Sequence, residues 1–106
     1  MYPREAIEYY EQALAIDRDA DFTFLGDSPG KALEHYELAL AKNRVVGDRR
    51  GEVVELQNLG RVYSDLLGDW REAIPYYKVA LAINHEIGDL QTEGAILGNL
   101  GRAYRA

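Results

Sequence analysis

The chain has 106 residues, a formal net charge of −6 and no cysteine, which suits one domain with a buried apolar core and excludes disulfides and thiol catalysis. The acidic balance argues against non-specific binding to nucleic acid or an anionic membrane. No apolar run approaches the roughly 20 residues of a membrane span, and Met1-Tyr2-Pro3-Arg4-Glu5 lacks the basic and apolar regions of a secretion signal, so a cytoplasmic chain is the expectation.

Residues 3–17 read as a first helix. Pro3 suits the first turn, Glu5 and Glu8 favour the positive N-terminal end, and Ala6, Ile7, Tyr10, Ala13 and Leu14 recur at spacings of three and four. Residues 18–28 break the pattern. Phe24-Leu25-Gly26-Asp27 matches Leu66-Leu67-Gly68-Asp69, so this stretch reads as a copy that has lost most of one helix and keeps its last turn. Phe22, Phe24 and Leu25 are expected to cover the apolar surface the lost helix would have buried; a mobile loop is the alternative. A second helix over 29–46 opens with Ser28 as N-cap and Pro29 in the first position, and carries Ala32, Leu33, Tyr36, Ala39 and Leu40 on one stripe. Gly47 is its left-handed stop, and Asp48 caps the third helix, 48–67. That helix has enough apolar positions, Val53, Leu56, Leu59, Val62, Tyr63 and Leu66 among them, to touch neighbours on two sides. The fourth, 70–87, has Asp69 as N-cap and Pro75 a turn inside, where a slight bend is expected; the fifth runs over 89–104.

Two phrases alternate along the chain. Asn58-Leu59-Gly60-Arg61-Val62-Tyr63 returns 41 residues on as Asn99-Leu100-Gly101-Arg102-Ala103-Tyr104. Arg71-Glu72-Ala73-Ile74-Pro75-Tyr76-Tyr77 echoes Arg4-Glu5-Ala6-Ile7-Glu8-Tyr9-Tyr10 and, 41 residues earlier, the weaker Gly30-Lys31-Ala32-Leu33-Glu34-His35-Tyr36. One period shared by two phrases marks a stacked helical repeat. Gly60 and Gly101 each cost a helix about 1 kcal/mol relative to alanine. The same cost at the same register predicts a notch into which a neighbouring helix packs, with Ala73 and Ala80 on the following helix, and Ala6, Ala13, Ala32 and Ala39 in the corresponding places, as the opposing half, while Tyr10, Tyr36, Tyr63, Tyr77 and Tyr104 fill the space between layers.

Leu56, Asn58, Leu59, Gly60, Tyr63, Gly68, Asp69, Ala73, Tyr77, Ala80 and Leu81, followed by Leu97, Asn99, Leu100, Gly101 and Tyr104, resemble the tetratricopeptide repeat in its longer variant, as in kinesin light chains, spindle-orientation adaptors and many bacterial regulators. The resemblance covers nearly the whole chain and departs at the bridge 18–28 and at one extra residue in Tyr63-Ser64-Asp65-Leu66-Leu67-Gly68. It implies an all-α solenoid of antiparallel helix pairs in a single domain, 1–106, divided into a truncated repeat at 3–28 and helix-pair regions at 29–69 and 70–106. It also implies that the third and fifth helices line a concave groove, that the others form the back, and that the chain is a non-catalytic module binding proteins or peptides.

On the groove face fall Gln57, Asn58, Arg61, Ser64 and Asp65 of the third helix and Asn99, Arg102 and Arg105 of the fifth. Guanidinium offers paired donors and amide offers both polarities. Gln57, Asn58, Arg61, Asn99, Arg102 and Arg105 are therefore candidate contacts for an acidic or C-terminal peptide. The competing reading has Asn58 and Asn99 bonding between neighbouring helices while the arginines are solvated or paired with local acids. His35 and His85 lack a second ligand at metal spacing. Asp17, Asp19 and Asp21 alternate as in a calcium loop, but Phe22 stands where that loop needs glycine. No catalytic constellation and no cofactor site stands out.

The two ends each read as half a repeat. Ala6, Ile7, Tyr10 and Ala13 are complementary in kind to Leu97, Leu100, Gly101 and Tyr104, and uncapped repeat ends seek partners. Homo-oligomerisation, head-to-tail or swapped, is expected, and a purely structural self-assembling unit is one alternative function. The other is a regulatory subdomain of a larger protein, since such ends also fit an excised or engineered piece of a longer array.

Overall fold

Between successive helices the chain stops and restarts where the sequence can satisfy the free backbone groups. The computed structural model describes residues 29–105: α1 Pro29–Val46, α2 Arg49–Arg61, a π-helical turn Val62–Leu66 that continues α2, α3 Trp70–Ile87 and α4 Leu90–Arg105. The first predicted helix and the bridge at 18–28 lie outside the described residues.

The three links are built alike. Gly47, Gly68 and Gly88 take left-handed φ of 75°, 68° and 78°, a conformation that costs a residue with a Cβ. At the first link the Asp48 amide donates to Asn43 O at 2.8 Å and Gly47 N to Arg44 O at 3.4 Å, which satisfies two carbonyls at the end of α1. The aspartate after each glycine then opens the next helix: Asp48 accepts from Gly51 N at 2.9 Å, Asp69 from Glu72 N at 3.0 Å and Asp89 from Thr92 N at 3.2 Å. Helix α3 runs unbroken through Pro75.

The third predicted helix is regular only to Arg61. From there the Leu67 amide donates to Val62 O at 3.0 Å, five residues back, and Asp69 N to Tyr63 O at 2.7 Å. The widened turn takes up the one extra residue between Tyr63 and Gly68, so Gly68 and Asp69 still fall where the next helix must start.

The helices pack in antiparallel pairs around one core. Helix α2 is central, burying Val53, Leu56 and Leu59, with Val62 following in the π turn. Against it stand Ala32, Tyr36 and Leu40 of α1 and Ala73, Tyr77, Ala80 and Ile83 of α3; Ile96 and Leu100 bring α4 against α3 in the same core. The alanines let backbones approach, and the tyrosines fill the remaining width.

Candidate protein-interaction surfaces

The predicted notch exists at Gly60. A Cβ built there would lie 2.6 Å from a ring carbon of Tyr77, and Tyr77 is only 1% exposed, so the ring has no room to retreat. The Tyr77 hydroxyl lies 3.4 Å from Ser64 Oγ, and the neighbouring Tyr76 stacks on Tyr63 with ring centroids 5.4 Å apart. Burial, followed by the hydrogen bond to Tyr63, pushes the Tyr76 hydroxyl up to about 12.

The same register on α4 is open. Nothing among the described residues comes within 4 Å of a Cβ built on Gly101. Leu97 is 51% exposed where its counterpart Leu56 is 3% exposed, and Tyr104 is 61% exposed where Tyr63 is half-buried. Leu100, grouped with these residues in the sequence, is buried against the core instead, because it repeats Leu59 on the side of the helix that meets α3. The Lys78 ammonium reaches back over the Tyr104 ring at 5.9 Å. An open cleft of about 460 Å³ lies below it, lined by Trp70, Arg71, Ile74 and Tyr104. Ala6, Ile7, Tyr10 and Ala13 lie outside the described residues.

A polar row joins α2 to α4. Asn99 Nδ2 donates a long bond to Gln57 Oε1 at 3.5 Å, and the Arg102 guanidinium donates to Asn99 Oδ1. Arg61 Nε lies 3.7 Å from Asp65, one turn on, and both are partly exposed. Arg105 is exposed and Asn58 half-buried. Asn99 thus bonds between helices and Arg61 pairs with a local acid, as the competing reading of the sequence has it, while the exposed guanidinium of Arg102 extends the row toward solvent.

Two groups of residues went unnoticed in the sequence. Glu52 is 3% exposed, and its carboxylate is held by Arg49 Nη1 at 3.1 Å and by Arg44 Nε at 3.6 Å. Arg49 Nη2 continues to Glu86 at 3.0 Å, so one network clips α1, α2 and α3 together near the Gly47 and Gly88 links; a separate pair joins Arg50 to Asp89 at 3.4 Å. The next layer repeats its first pair with different letters: His85 Nε2 lies 2.5 Å from Glu93, each partner 41 residues after Arg44 and Glu52. The period carried that signal, but the change from Arg to His concealed it. Glu55 is the second case. It takes the place of the buried Ile96 one period on, and burial pushes its carboxyl up to about 7 against the opposing pull of Lys42.

Among the described residues no group of three His, Asp or Glu side chains is placed to hold a metal, and no helix is long and apolar enough to cross a membrane. Antiparallel pairs repeating at one register, with a notch at Gly60 and a polar row between α2 and α4, define a helical repeat protein. A tetratricopeptide repeat model matches residues 20–86, and a second tetratricopeptide repeat model matches residues 2–22. The chain belongs to the tetratricopeptide repeat family. Such repeats are generally protein–protein interaction modules without catalysis of their own, and neither match is to an enzyme family. No curated protein and no solved structure matches the chain.

Proposed function

We propose that the chain is a non-catalytic module, of the longer-repeat kind, that binds an extended acidic peptide across the α2 and α4 face. The observation that carries this reading is the row Gln57, Asn99, Arg102, which spans two helices and leaves a guanidinium at the solvent edge. Arg102 and Arg105 offer paired donors to carboxylates, with Arg61 beside them exchanging Asp65 for a ligand carboxylate. Asn58 and the amides of the row suit peptide N–H and C=O groups. Cytoplasmic peptides with acidic or free C-terminal carboxylates are the matching class.

Fluorescence anisotropy with a labelled acidic peptide ending in a free carboxylate, and with its C-terminally amidated twin, tests the reading. Binding should weaken at least tenfold in Arg102→Ala combined with Arg105→Ala, and should fall with added salt. No binding by either peptide, or binding indifferent to both substitutions, overturns it. A second reading, self-association through end faces, is favoured by the exposure of Leu97 and Tyr104 around Gly101.

A further inference from the structure

We infer that the open face of α4 takes residues 4–14 of a second copy of the chain, seated on α4 as α3 is seated on α2. This deepens the self-association reading above and rests on it.

The argument begins with what covers the equivalent face one period earlier. On α2, the notch at Gly60 is filled by Tyr77 and flanked by the stack of Tyr76 on Tyr63, and α3 thereby takes Leu56 out of water. On α4 the counterparts Gly101, Tyr104 and Leu97 are all present and all open. The surface is therefore cut for a helix that carries a small residue, a pair of tyrosines ending four residues later, and a second small residue three further on. In α3 those are Ala73, Tyr76-Tyr77 and Ala80. Outside the described residues the chain writes that pattern once more. Arg4-Glu5-Ala6-Ile7-Glu8-Tyr9-Tyr10-Glu11-Gln12-Ala13-Leu14 shares eight of eleven residues with Arg71-Glu72-Ala73-Ile74-Pro75-Tyr76-Tyr77-Lys78-Val79-Ala80-Leu81.

Charge agrees. The donor segment carries three glutamates, Glu5, Glu8 and Glu11, against the one arginine, Arg4, whereas the last two turns of α4, Gly98 to Arg105, carry Arg102 and Arg105 and no carboxylate. Residues 4–14 precede α1, whereas α4 stands three helices further on; repeat stacks add helices in chain order, so this segment reaches α4 from a second molecule. In this register Tyr10 fills the notch at Gly101 and Tyr9 stacks on Tyr104. The contact joins two different surfaces, so it continues from chain to chain unless it closes into a ring.

Light scattering behind size exclusion tests this on the full chain and two variants. Gly101→Glu blocks the accepting face, and Tyr10→Glu blocks the donating segment. The parent chain should show a mass rising above its 12.0 kDa with concentration. Each variant alone should stay monomeric. An equimolar mixture should reach twice the monomer mass and stop, since one intact surface remains on each partner. A parent chain that stays monomeric throughout, a Gly101→Glu chain that still assembles, or a mixture that stays monomeric while both variants keep their helical circular dichroism overturns the inference. Should Tyr10→Glu lose its helicity, the mass of Gly101→Glu alone decides, because Gly101 has nothing around it to clash with. Titrating the acidic peptide into monomeric Gly101→Glu reads the α2 and α4 row separately, so failure of assembly and failure of peptide binding are distinguishable.

Discussion

Two glycines at one register make opposite demands. Gly60 lies against the buried ring of Tyr77, so Gly60→Ala should destabilise the fold by about 1–3 kcal/mol, the usual range for overpacking a full core. Gly101→Ala meets nothing and should instead stabilise by up to about 1 kcal/mol through helix propensity alone. Urea unfolding of the two variants below the assembly concentration reads both. Glu55 supplies a third residue-scale expectation. Its folded carboxyl holds a proton up to about pH 7 against an ordinary value of 4.5, so between those values the folded chain binds more protons than the unfolded one. Its contribution to stability is therefore fully present below the ordinary value and is lost as pH rises through the folded value. Glu55→Gln removes that loss. It should match the parent near pH 4 and exceed it by about 1–2 kcal/mol at pH 8, and a pH series of urea midpoints checks the crossover.

At the scale of the element, the π turn is the feature with most leverage. It holds one residue more than a regular helix would need to bring Leu67, Gly68 and Asp69 to the same place. Deleting exposed Asp65 should let the turn relax to regular helix and keep the fold, with a thermal midpoint within a few degrees of the parent. Deleting Gln57 should unfold the chain, since it rotates everything after it by about 100° and moves the apolar stripe out of the core. Circular dichroism melts separate the two. Element bounds were legible in the sequence because each link carries its own punctuation: glycine to stop, aspartate to start. The expected 29–46 and 70–87 are the observed α1 and α3, and the fifth predicted helix is displaced by one residue at each end. The extra residue was visible too, but whether a chain absorbs it by a bulge, a kink or a longer loop depends on packing from α3, which no local spacing encodes. The same holds for Leu97 and Leu100. Both belong to the apolar stripe, and only the presence of α3 on one side decides which is buried.

Over the whole molecule, the self-similarity that reveals the family also limits what can be read from it. The period predicted the notch at Gly60 and the reuse of tyrosine and alanine across layers, because those contacts are made by like residues at like registers. It gave only a disguised echo, His85 with Glu93, of the network of Arg44, Glu52, Arg49 and Glu86, whose members come from three helices and pair by charge. It concealed Glu55, where one layer departs from the other. The polar row was named residue by residue, and the structure brings Gln57, Asn99 and Arg102 together from it.

The Gly-Asp links bear on how this chain meets a protease. A protease must draw an extended segment of backbone into its cleft, and loops are the usual donors. Here each reversal is a glycine and an aspartate hydrogen-bonded into the helices on both sides, which leaves little slack to surrender. Cutting between residues 29 and 105 must then wait for the helices themselves to come apart, and the rate of digestion measures the free energy of opening the stack rather than the looseness of any one joint.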